Sequence, residues 1–259
     1  TVNYRVTSAG SVAYGSGTRN VNTLTSTTGA TTLTWGNSSG QINLVTNGVL
    51  NAGTGTLTLV GGGSNANSGI MVGGNNDREL VVNAANASIV LGKIIDNTGG
   101  ASSVTVEASG SNTVTFNTTN TFTGGLRVNS GTLALNGSQT ISQTVSGSGS
   151  IRNNGGTATL SGNFSGFTGT YTHNSSTNST LLNSTSAASK DASYHIAADQ
   201  GSSQGILMNV TSGNNTFEMG ALSGVANSLV RNAAAVSGTS TLKVGNLNTD
   251  TEFAGIIGG

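Results

Sequence analysis

Apolar residues along this chain fall in short alternating runs: TGTLTLV at residues 54–60, SVTVE at 103–107 and GTLAL at 131–135. A period of two sends successive side chains to opposite faces, so each run predicts a strand with one apolar face. Leu57, Leu59, Val104, Val106, Leu133 and Leu135 form the expected inward set. Gly, Asn and Ser bound the runs, and these residues tolerate positive φ or start turns. Apolar residues rarely recur at three-to-four spacing, and Gly interrupts nearly every window long enough for a helix, so almost no helix is expected. The exception is the Ala-rich stretch at 186–200 (SAASKDASYHIAADQ), which predicts a short helix or a loop excursion from a single domain spanning 1–259.

Two loose repeats organise the strands. Phe-Thr/Ala-Gly occurs at 122–124, 167–169 and 253–255; Gly-Thr-x-x-Leu occurs at 53–57, 131–135, 156–160 and 238–242. Short strands joined by Gly and Asn corners, without strong hairpin spacing, bury their apolar faces by coiling and stacking each turn on the one before. The fold class this predicts is all-β, a parallel β-helix (β-solenoid). At roughly 20 to 25 residues per coil it would make on the order of a dozen coils.

A family resemblance enters at these residues. Residues 117–137 (NTTNTFTGGLRVNSGTLALNG), led in by SGSNTVTF at 109–116, closely resemble the autotransporter-associated β-strand repeat of large secreted bacterial passenger proteins. Residues 44–100 look like the coils that precede such repeats, and 216–224 (TFEMGALSG) and 241–258 (TLKVGNLNTDTEFAGIIG) like the coil that follows. The resemblance implies a right-handed β-helix, secreted to the bacterial cell surface. Nothing in the sequence resembles the translocator barrel that ends a true autotransporter.

Composition narrows the function. Gly (40), Thr (39), Ser (35) and Asn (32) fill more than half of the 259 positions, and nine basic residues balance nine acidic ones. Zero net charge argues against a nucleic-acid surface or an acidic tail. The absence of Cys removes disulfides and thiolate metal sites, and no run approaches the roughly 18 apolar residues of a membrane span.

Catalytic candidates are sparse. Asp250 and Glu252, two apart on an expected strand, would share a face as a carboxylate pair, although turn capping is the simpler role for Asp250. Asp77, Arg78 and Glu79 resemble half of a calcium-binding Gly-rich repeat, but such repeats work in tandem and a charged loop tip explains them better. His195 with Lys190, Asp191 and Asp199 is the one group containing a titratable base; His173 is placed in a polar loop. No nucleophile elbow is found, and Gly61 to Gly63 lack the Lys and helix of a phosphate loop. The expectation is a non-enzyme without cofactor or metal. Ten Asn-x-Ser/Thr sequons match the roughly nine that composition alone produces. Asn174, Asn178 and Asn183 are the most exposed-looking glycosylation candidates.

The ends of the sequence carry the functional expectation. Val2, Tyr4 and Val6 alternate with polar residues from the start, and Leu242, Val244, Phe253, Ile256 and Ile257 keep the other end apolar. Solenoids usually close with polar or helical caps, and neither end offers one. One explanation is excision from a larger protein. The other is head-to-tail association with copies of itself, making the chain a structural subunit of an extracellular bacterial fibre or surface appendage. The alternative function is an adhesive or glycan-binding passenger segment of a larger secreted surface protein. It predicts a line of exposed aromatics, for which Trp35, Tyr171 and Tyr194 are few and scattered.

Overall fold

The computed structural model describes residues 2–14, 18–35, 43–61, 69–73, 78–199, 204–234 and 236–258. Parts of three sequence readings, Asp77, Gly62 with Gly63, and Gln200, lie outside the described residues, as does the sequon Asn37. The protein is all-β, built of parallel sheets stacked as a β-solenoid, and its two compact units, residues 1–133 and 134–259, together make about nine turns.

In the first unit the strands fall on three faces. One face runs from Val2–Val6 through the second half of Arg19–Ser26, Gly48–Asn51, Glu79–Ala84 and Ser103–Ala108 to Leu126–Val128. A second stacks Gly10–Tyr14, Thr31–Trp35, Leu57–Gly61, Ile89–Leu91 and Thr113–Phe116. A third stacks Arg19 and Asn20 on Asn43–Thr46, Gly69–Val72 and Ile94–Ile95. The expected alternation is realised: Leu57, Leu59, Val104, Val106, Leu133 and Leu135 are fully buried. Parallel register lines them up rung over rung, as in the column Leu33, Leu59, Leu91, Phe116.

The second unit repeats the scheme. Ser150–Asn153, Thr170–His173, Ser193–Ile196 and Ala221–Gly224 form one ladder. Gln139–Ile141, Ala158–Leu160, Thr180–Leu182, Ile206–Met208, Leu229–Asn232 and Ile256–Gly258 form another. Thr144–Gly147 pairs Asn163–Phe167, and Asn215–Met219 pairs Ser240–Val244. Phe164, Phe167, Tyr171, Tyr194 and Phe217 fill its interior.

Two expectations change. The turn count is lower than a dozen because coils are longer and unequal: the step between stacked residues is 20 from Ile151 to Tyr171 but 33 from Val49 to Val82. The stretch at 186–200 is not a helix. It holds a single 3-10 turn, Thr185–Ala187, capped by the Ser184 hydroxyl, and then the strand Ser193–Ile196, which is paired on both edges. Ala187, Ala188, Ser189 and Ala192 are buried, so the small residues that suggested helix propensity let the chain lie close against neighbouring coils.

Candidate functional site

Every parallel ladder has two edge strands with unpaired N–H and C=O groups. In the first unit Val2–Val6 pairs along one edge only, with Val2 over Val21, Tyr4 over Leu24 and Val6 over Ser26. Its inward residues grade from open to covered: Val2 is 67% exposed, Tyr4 38% and Val6 5%. Val6 is thus already satisfied within its own unit, leaving Val2 and Tyr4 as the apolar part of this edge.

In the second unit the outermost strands prolong buried columns. Leu242 lies one rung beyond Phe217 and Val244 one rung beyond Met219, both of which are buried. Ile257 lies one rung beyond Val230, and Ile256 one beyond Leu229. Phe253 bridges Gly224 in parallel, with its ring where a Cβ on that glycine would sit. Val244, Ile256 and Ile257 are 45%, 58% and 57% exposed, while Leu242 and Phe253 are half-buried. Leu242, Val244, Ile256 and Ile257 thus stack on buried partners, and among the described residues no further strand pairs over them. The one ion pair on this edge, Lys243 to Glu218 at 3.6 Å, is exposed and contributes little.

The catalytic candidates do not converge. Lys190 pairs with Asp191, which also accepts from Asn246; His195 Nδ1 lies 2.9 Å from Ser223 Oγ; and Asp199 accepts from Asn227. The His195–Ser223 contact has the spacing of a base and a nucleophile. It lies across the paired strands Ser193–Ile196 and Ala221–Gly224, the second of which is the edge of its sheet. Asp250 and Glu252 are exposed on irregular chain; Arg78 is tied to the Gly99 carbonyl, and Glu79 to the Thr105 hydroxyl. Among the described residues no three His, Asp or Glu are grouped to hold a metal ion.

His173 differs most from its sequence reading. It lies on the strand Thr170–His173, fully buried, with Nδ1 3.0 Å from Thr180 Oγ1, which is also 2.8 Å from the Tyr171 hydroxyl. Strict alternation from Tyr171 is the signal that places it inward. Of the sequon residues, Asn174 and Asn183 are exposed and Asn178 half-buried. Their side chains take part in amide contacts: Asn174 donates to Asn154, Asn178 to Thr177, and Asn183 accepts from Asn209.

No family model, curated protein or solved structure matches the chain. Among the described residues no helix is long and apolar enough to cross a membrane.

Proposed function

We propose that this protein is a structural subunit of an extracellular bacterial fibre or surface appendage, lengthening by head-to-tail stacking of copies. The observation that carries this reading is the pair of edges, whose outermost strands form a ladder on one side only among the described residues and carry exposed apolar residues. The strands Val2–Val6 and Ser240–Val244 are both five residues long and share one alternation. Parallel pairing between copies sets Val2, Tyr4 and Val6 over Ser240, Leu242 and Val244, with Asn3 and Arg5 over Thr241 and Lys243. A slip of one residue would turn the apolar set outward, so burial fixes the register. Apolar area removed from water is worth about 25 cal/mol per Å². Zero net charge leaves little long-range repulsion, and the facing cations Arg5 and Lys243 oppose the contact only locally, at a solvent-facing position. A contact between two different surfaces repeats from copy to copy and yields a filament when its rotation does not close a ring.

The surface-exposed setting rests on the repeat resemblance and on coil flanks rich in Thr, Ser and Asn. The adhesive alternative lacks its expected platform, since Trp35, Tyr171 and Tyr194 are buried. Sedimentation velocity and negative-stain imaging test the fibre reading. The intact chain is expected to form filaments, whereas deletion of residues 1–7, or Val244→Asp, which leaves the other edge untouched, gives monomers. Filaments from either variant, or an intact chain that stays monomeric at high concentration, would overturn it in favour of a segment within a longer surface polypeptide.

A further inference from the structure

A cavity of about 270 Å³ opens at the first rung of the first unit, within the coil interior. Its apolar wall is Tyr4, Val21, Leu24, Leu33, Trp35 and Leu44, with Arg19 and Asn20 completing the lining. The volume exceeds the roughly 150 Å³ that admits benzene and approaches the 300 Å³ at which small-molecule sites begin. A further observation points to the chemistry of an occupant. Arg19 tops the column Leu44, Ile70, Ile94, whose other members are buried apolar residues. It is exposed and makes no ion pair among the described residues. A cation thus crowns an apolar shaft.

We propose that this cavity is a binding site for a small amphiphilic carboxylate, an aliphatic chain or single ring of about six to eight carbons. The apolar part lies against Leu24, Leu33 and Leu44, and the carboxylate meets the Arg19 guanidinium. An apolar body gains from leaving water, and a charge-assisted hydrogen bond to Arg is stronger than a neutral one. The match is to a molecule with one anionic end; a neutral alcohol of equal length satisfies the wall but not Arg19, and acetate satisfies Arg19 but not the wall. The cavity shares Tyr4 with the edge that the fibre reading covers, so ligand and next copy compete there, and the dependence of emission on protein concentration tells them apart.

Trp35 is the sole tryptophan, so emission excited selectively at the indole, beyond tyrosine absorption, reports from the cavity alone. The experiment titrates octanoate, 1-octanol and acetate, below micellar concentrations, into the full chain at fixed protein concentration. Octanoate is expected to shift Trp35 emission saturably, octanol to need at least about tenfold more, and acetate to do nothing. Arg19→Gln, an exposed change, removes the preference for octanoate over octanol. Leu44→Phe, which narrows the cavity, weakens both, with circular dichroism confirming its fold. The inference is overturned by a non-saturable octanoate response, by an equal response to acetate, or by an Arg19→Gln variant that keeps the preference. It also fails if the emission follows protein concentration and ignores octanoate, which would make another copy the occupant.

Discussion

Tyr171 and Tyr194 show how a polar atom is kept inside a coil this narrow. Burial pushes both phenols well above the ordinary tyrosine value; the hydrogen bond with Thr180 opposes this at Tyr171, and the Ser189 N–H donated to the Tyr194 oxygen opposes it there. The rings lie 6.0 Å apart, one rung from each other. The unfolded chain ionises near pH 10, while the folded chain holds its protons to higher pH, so stability is intact below about pH 10 and falls as pH climbs beyond it. Tyrosinate absorbance should therefore show Tyr171 and Tyr194 ionising only as the far-ultraviolet dichroism collapses. Ionisation of both before unfolding would contradict their burial. Leu133 makes the apolar counterpart. It is fully buried, and Leu133→Asp places an unpaired carboxylate there at about 4 kcal/mol or more, measured by denaturant unfolding.

At the scale of the strand and its corner, the Phe-x-Gly repeat acquires a physical reason. Phe122 and Phe167 point into the coil, and the glycine two residues on passes against the backbone of the preceding turn. A Cβ would stand 2.3 Å from the Ser102 carbonyl oxygen at Gly124, 1.7 Å from that of Gly149 at Gly169, and 2.3 Å from that of Ser228 at Gly255. The obstacle is backbone, which cannot rotate away. Gly169→Ala is expected to cost about 2 kcal/mol or more and lower the thermal midpoint, whereas Gly155→Ala, with open space around it, should leave it nearly unchanged. A second corner device is a buried Asn two residues before a Gly. Asn51 accepts from Gly53 N–H and donates to the Gly55 and Ser88 carbonyls; Asn153 accepts from Gly155 and donates to Gly156. Each turns the chain while satisfying groups that the coil interior hides from water.

At the scale of the whole molecule, charge and edges decide behaviour. Nine cations and nine anions on 259 residues leave hydrogen-bonded ladders and apolar columns as the cohesive terms, and both exposed ion pairs are peripheral. End-to-end association driven by Leu242, Val244, Tyr4 and Val2 should then hardly depend on ionic strength between 0.05 and about 0.5 M, a range over which charge-driven assembly weakens strongly. Light scattering against salt concentration checks this. A steep loss of scattering with added salt would assign the contact to attraction between opposite charges, whereas the facing cations Arg5 and Lys243 allow only a modest gain as salt screens them.

The alternation at 54–60, 103–107 and 131–135, together with Gly-bounded corners, determined strands, their inward faces and a coiled parallel stack, because a period of two and a turn residue are local properties. The same alternation contains the inward position of His173, hidden in a segment whose surroundings are polar. Ala-rich composition at 186–200 pointed to helix, but close packing between coils took those alanines for contact instead. Coil length was beyond the sequence, since any corner of Gly, Asn and Ser closes equally well over a few residues or a dozen, and stacking alone selects which residues meet. For the same reason only the tertiary structure brought Arg19 above Leu44, set Trp35 in the wall of a cavity, and stacked Val244 and Ile257 on the buried Met219 and Val230.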